Sequence, residues 1–88
     1  MAKEIIKKVY KKYFDQIVSG EKDFEIRLAN EEYKVGDVLV LKEIDDAKRF
    51  TGREIRRKIK YMLKTKDINF WSKEEIDKFG FVVLGMEK

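Results

Sequence analysis

Cysteine, histidine and proline are all absent from this chain of 88 residues, and each absence removes a class of chemistry. Without cysteine there is no disulfide framework and no thiolate metal site to brace a small fold. Without histidine the commonest general base, the commonest transition-metal ligand and the usual switch at neutral pH are all missing. A Ser-His-Asp triad, a Cys-His dyad and a histidine-bound zinc are therefore impossible. Long apolar runs are lacking too. The longest, from Phe79 to Met86, is far below the ~20 residues a membrane helix needs. The basic start (Lys3, Lys7, Lys8) is not followed by the apolar stretch of a signal peptide, so the expectation is a cytoplasmic protein with no membrane partner.

What the chain has in abundance is charge. Charged residues make up 43% of it, rich in Lys, Arg and Glu, a composition of the kind found in hyperthermophile proteins. The absence of proline from the loops runs against a thermophile origin. The length suits one domain spanning residues 1–88, with a single modest core. Net charge is only +4, but it is unevenly placed: residues 1–13 carry five bases and one acid, and residues 53–66 carry seven bases and one acid. Everything between and after is acidic on balance. A polyanion senses the local field, so these two segments matter more than the total.

Periodicity outlines the elements. Residues 4–9 suit a first strand. From Tyr10 to Ser19 the residues Tyr10, Tyr13, Phe14, Ile17 and Val18 recur at helical spacing, and Gly20 follows as a stop. Lys22 to Leu28 alternates, with Phe24, Ile26 and Leu28 opposite Asp23, Glu25 and Arg27, as a half-buried strand does. Residues 30–37 are turn-rich. Val38 to Leu41 is an unbroken apolar run, expected of a strand covered on both faces. Residues 53–64 fit a helix stripe (Ile55, Ile59, Leu63) and also one face of a strand (Ile55, Ile59, Tyr61, Leu63), and propensity alone favours the helix. Ser72 with Glu75 forms a capping box, predicting a short helix from Lys73 to Lys78. Gly80 ends it, and Phe81 to Leu84 reads as a last strand.

The stretch Phe14-Asp15-Gln16-Ile17-Val18-Ser19-Gly20-Glu21-Lys22-Asp23-Phe24-Glu25-Ile26-Arg27 is the most informative. Its helix, Gly-x-Lys turn and Glu-x-Arg strand resemble the signature of the ASCH branch of the PUA-like superfamily. Val35-Gly36-Asp37 resembles that family's next landmark. Tyr33, Phe50-Thr51-Gly52-Arg53 and the Gly80-Phe81-Val82-Val83-Leu84 ending are similar to a small uncharacterised subfamily of ASCH-like domains. The resemblance runs from about Phe14 to the C-terminus. It implies an α+β, mainly β fold: a small PUA-like barrel of about five strands with two short helices. It also requires a strand, not a helix, within 53–64.

Glu25 and Arg27, two apart on a strand, share a face; a carboxylate beside a guanidinium suits a base edge, a carboxylate or a phosphate. Lys22 adds a mobile charge at the strand's mouth. The resemblance implies that Lys22, Glu25 and Arg27 line a cleft beneath the first helix and bind RNA or a nucleotide-like ligand there. The alternative is a plain Glu25–Arg27 ion pair. On a strand through 53–64, Arg56, Lys58 and Lys60 form a row that could track a phosphate backbone, with Arg53 and Arg57 on the other face; Lys7, Lys8, Lys11 and Lys12 invite the same reading. The alternative is the solvated outer face of an edge strand. Trp71, beside Phe70 in a loop, is a candidate platform for a base, or else a staple between helix and barrel.

Some ASCH relatives are amidohydrolases that deacetylate modified cytidine nucleosides with a Lys, a Thr nucleophile and a helical Glu. Lys22 matches the first. Glu25 stands at the nucleophile position, so the hydroxyl is missing, and Glu74 or Glu75 could stand for the helical Glu. A third expectation is a protein-interaction partner, a monomer or weak dimer using residues 79–86 or an open strand edge. No cofactor is implied, and no carboxylate spacing supports magnesium.

Overall fold

The computed structural model describes residues 2–87. Its sheet has three strands, β1 (Glu4–Tyr10), β2 (Val38–Ile44) and β3 (Phe50–Lys58), in the order β1-β2-β3. β1 and β2 are parallel, and the crossover that such a pair requires is supplied by α1 (Lys11–Ser19) and the long loop after it. β2 and β3 are antiparallel. α2 (Lys73–Phe79) follows farther along, opened by the expected capping box: Ser72 Oγ accepts from the Glu75 N–H while Glu75 Oε1 accepts from the Ser72 N–H.

Alternation decides where the core lies. On one sheet face Ile5 and Val9 of β1 sit beside Leu39 and Leu41 of β2, and α1 presses Phe14 and Ile17 onto them. Ile55 of β3, opposite Leu41, extends this cluster. On the other face Val40 and Ile44 are also buried, although no helix among the described residues packs across that side.

The protein is thus small and α+β with two short helices, but its sheet is open and three-stranded. Residues 22–28 lie outside the hydrogen-bonded sheet, with Ile26 and Leu28 exposed. Ion pairs within the segment brace it, and the Arg27 bond to the Lys8 carbonyl ties it to β1 in place of a ladder. Residues 81–84 likewise make no ladder; Phe81 packs edge-on against Trp71.

In the ambiguous segment the strand prevails only as far as Lys58. Pairing with β2 overrides the helix propensity of its Arg and Lys residues. Gly52, at φ 97°, sits where the β2–β3 register slips between Lys42 and Ile44, a conformation that suits glycine alone. Beyond Lys58 the pairing closes with Ile59, whose N–H donates to the Asp37 carbonyl at 2.8 Å and whose carbonyl accepts from the Gly36 N–H at 2.8 Å. Tyr61, Met62 and Leu63 continue outside any strand.

Asp37 explains the Val-Gly-Asp landmark. Its carboxylate is buried and accepts from two backbone N–H groups, Lys3 at 3.1 Å and Lys34 at 3.0 Å. It ties the entry of β1 to the turn before β2. Asp37→Ala orphans both donors and is expected to cost about 1.5–3 kcal/mol, with Asp37→Asn losing less. Urea midpoints measure this, and an unchanged midpoint in the alanine variant would contradict the role.

Candidate ligand cleft

Gly20 builds the mouth of the site. At φ 85° it ends α1, its N–H donating to the Ile17 carbonyl, and the turn lets the Lys22 N–H donate to the Gln16 carbonyl at 3.0 Å. Lys22 is thereby fixed at the helix end. The chain then runs back along β1, and Arg27 Nη2 donates to the Lys8 carbonyl at 2.8 Å.

Between α1 and this returning segment lies a cleft of about 620 Å³, lined by Tyr13 and Gln16 of the helix and by Lys22, Phe24, Glu25 and Arg27 opposite, among others. That volume is within the usual range for small-ligand sites. Glu25 is its centre. One carboxylate oxygen accepts from Lys22 Nζ at 3.0 Å and the other from Arg27 Nε at 2.9 Å. The Glu25 and Lys22 side chains are only 13% and 18% exposed, so this pair is better shielded from solvent than a surface ion pair, while Arg27 is more open. Lys22 Nζ also stands over the rings of Tyr13, at 5.4 Å, and Phe24, at 5.3 Å.

With Glu25 satisfied on both oxygens, the remaining hydrogen-bonding capacity is mostly that of donors: the Nη1 end of Arg27, the other ammonium hydrogens of Lys22 and the Gln16 amide. The cleft therefore offers fixed cations beside aromatic rings. Such an arrangement suits a ligand that carries both an oxyanion and a flat apolar body.

The other expected residues are distributed elsewhere. Arg53 turns towards the helix: its Nη1 donates to Glu43 Oε2 at 3.1 Å and Asp15 Oδ1 at 3.2 Å, and its guanidinium lies 4.7 Å above the Phe14 ring. Glu43 is 3% exposed and also accepts from Thr51 Oγ1 at 2.6 Å. This network locks α1 to β2 and β3, so Arg53 is bound up in holding the fold. Arg56 and Lys58 point to the sheet face away from α1, where Arg56 pairs with Glu4. Lys60 lies past the end of β3.

Trp71 is half exposed and packs edge-on with Phe70 and Phe81, bordering a second, apolar cleft of about 440 Å³ against α2. Glu75 is committed to the helix cap, Glu74 stands in the same first turn, and neither lines the first cleft. Among the described residues no group of three potential metal ligands converges, and no helix is long and apolar enough to cross a membrane.

Sequence reasoning missed three residues here. Gln16 and Tyr13 were visible only as helix positions three apart. Glu43 carried a clearer signal, an acid inside an otherwise apolar strand, which demands a buried partner.

Two carboxylates and a lysine outside the cleft are tuned by their neighbours. Lys11, hydrogen-bonded at 2.6 Å, holds the Asp15 carboxyl below its ordinary value of 3.8, with Arg53 adding to the effect. Lys34 does the same for Glu32, below 4.5. Lys7 is raised above 10.5, chiefly by Glu31 at 2.9 Å. A depressed carboxyl stabilises the fold above its unfolded pKa, and that contribution is lost as pH falls through the folded value. A raised lysine stabilises below its unfolded pKa, and that contribution is lost as pH rises through the folded one. With no histidine or cysteine side chain to titrate between, the urea midpoint is expected to stay flat from about pH 5 to 9 and to fall on either side. Asp15→Asn should lessen the acid limb; a slope through neutrality would contradict the assignment.

Residues 6–86 match the model of a family described as "Domain of unknown function (DUF3850)". The chain belongs to this family. The match takes in most of β1, the cleft and both helices of this DUF3850 domain, so the Lys22–Glu25–Arg27 triad lies within the family unit. No curated protein and no solved structure matches the chain.

Proposed function

We propose that this DUF3850 domain is a cytoplasmic binding module of the ASCH type, which holds an RNA segment or a nucleotide-like ligand in the cleft beneath α1. The observation that carries this reading is Glu25 pinned between Lys22 and Arg27, with the spare donors of both cations beside Tyr13 and Phe24. Oxyanions suit the cations, and a base suits the rings. The same reading carries the closed PUA-like barrel, in which residues 22–28 and 81–84 would be the added strands.

The test is a titration of labelled single-stranded and hairpin RNA at two salt concentrations, with a variant in which Lys22, Glu25 and Arg27 are all alanine. Binding that weakens with salt and is lost in the variant is expected. Absence of any binding at low salt would sink the reading. An amidohydrolase acting on acetylated nucleosides is the weaker alternative. Lys22 and Glu25 are close enough to exchange a proton, but the nucleophilic hydroxyl is missing and Glu75 is engaged in its cap. Turnover of N4-acetylcytidine would reverse that ranking.

A further inference from the structure

The sheet face turned away from α1 has its own chemistry. Strand alternation and register bring Lys8 and Tyr10 of β1, Lys42 of β2, and Phe50, Arg56 and Lys58 of β3 onto this side, together with the acids Glu4 and Glu54. Phe50 is 58% exposed, an unusual place for a phenylalanine on a sheet. Two ammonium groups stand over its ring, Lys8 at 5.7 Å and Lys42 at 5.6 Å.

Lys8 and Lys42 are also direct cross-strand partners. Like charges placed opposite one another weaken a sheet. Lys42 has Glu54 at 3.8 Å to offset this, whereas Lys8 makes no ion pair among the described residues. An anion between the two ammonium groups would relieve the repulsion. The surface is continuous with the cleft, because Lys8 and Tyr10 border both. Towards the far end stand Arg56, which is paired with Glu4 and Glu54, and Lys58, about 13 Å along the strand direction from Lys42.

We infer that this face is a second contact surface for single-stranded RNA, on which Phe50 stacks a base while Lys8 and Lys42 hold the adjoining phosphates. An exposed ring flanked by cations is what a single strand needs, since every base has a π-face and every linkage a charge. The inference rests on the nucleic-acid reading of the cleft but uses different residues. An acidic peptide would satisfy the lysines and leave the ring without a planar partner.

The experiment compares a mixed-sequence single-stranded oligoribonucleotide with a nucleoside 5′-monophosphate, by fluorescence anisotropy and calorimetry respectively. The proteins are the wild type, Phe50→Ala, Phe50→Leu, Lys42→Ser and the Lys22/Glu25/Arg27 alanine variant. Phe50→Ala is expected to weaken oligonucleotide binding on the order of tenfold, with Phe50→Leu recovering little, because stacking needs a ring. Lys42→Ser should lower the salt slope by about 0.7. Monophosphate binding should be unchanged in all three, and urea midpoints confirm that each is folded.

Wild-type oligonucleotide affinity and salt slope in Phe50→Ala and Lys42→Ser overturn the inference; if the cleft variant alone loses binding, the cleft reading survives without it. Loss in Phe50→Ala with full retention in the cleft variant has the opposite meaning. Failure of the wild type to bind the oligonucleotide at low salt overturns both, as does a preference for polyglutamate over RNA.

Discussion

Replacing Phe14 with alanine is expected to lower the free energy of unfolding by about 3–5 kcal/mol, the largest loss from any single side chain here. Phe14 is 1% exposed and, with Ile17, is how α1 grips Ile5, Val9, Leu39 and Leu41. Removing its ring deletes that contact and leaves a cavity the sheet cannot collapse to fill. It also removes the surface on which the Arg53 guanidinium rests, loosening the bonds to Asp15 and Glu43. Since small domains have only about 5–15 kcal/mol in hand, the variant should be barely folded. Phe14→Leu keeps most of the volume and should lose much less. Tyr13→Ala, one residue away on the exposed side, should change stability little. Equal urea midpoints for Phe14→Ala and Tyr13→Ala would refute this packing.

Arg27→Lys is expected to weaken ligand binding by about 10- to 100-fold while leaving the fold intact. The charge is kept, so a cleft that works by charge alone would be indifferent to the change. Arg27, however, uses its planar fork for two jobs at once: Nε holds Glu25 at 2.9 Å and Nη2 holds the Lys8 carbonyl at 2.8 Å, which aims the remaining Nη1 hydrogens. A lysine ammonium cannot make both bonds and present donors to a ligand in a fixed direction. Losing a charge-assisted hydrogen bond of this kind costs about 1.5–3 kcal/mol, which sets the expected factor. Isothermal titration of the monophosphate or a short RNA measures it. Wild-type affinity in Arg27→Lys would mean that the cleft attracts its ligand without orienting it.

Local signals in the sequence were read reliably where a single element satisfies them. Ser72 and Glu75 cap α2 as their spacing requires, Gly20 stops α1, and Phe14 and Ile17 form its buried stripe. The strand within 53–64 was legible only in part. Its Arg and Lys residues are compatible with either state, and what settles the matter is pairing with β2, which local propensity does not report. Residues 22–28 show why alternation is not proof of a strand. The same alternation that puts Glu25 and Arg27 on one side serves here to build an ion-pair triad, and Ile26 and Leu28 remain exposed.

For the candidate site, Lys22, Glu25 and Arg27 stand together because the spacing is local and Gly20 fixes the turn, and the contact between Glu25 and Arg27 is the ion pair held as the alternative. Arg53 could not be placed from sequence. Whether an arginine on a strand faces solvent or a buried acid depends on Glu43, which reaches it only through the β2–β3 pairing. Phe50 was hidden for the same reason, since its exposure follows from which sheet face α1 covers.

In the proposed binding mode the ligand sits among Tyr13, Gln16, Lys22, Glu25 and Arg27. The most direct measurement is an NMR titration of isotope-labelled protein with a short single-stranded RNA at low salt. Shifts concentrated at the Lys22, Glu25 and Arg27 amides, the Arg27 Nε–H and the Gln16 side chain, saturating with one affinity, are the predicted result. Saturable shifts that leave these signals in place and gather instead around α2 and Trp71 would contradict it.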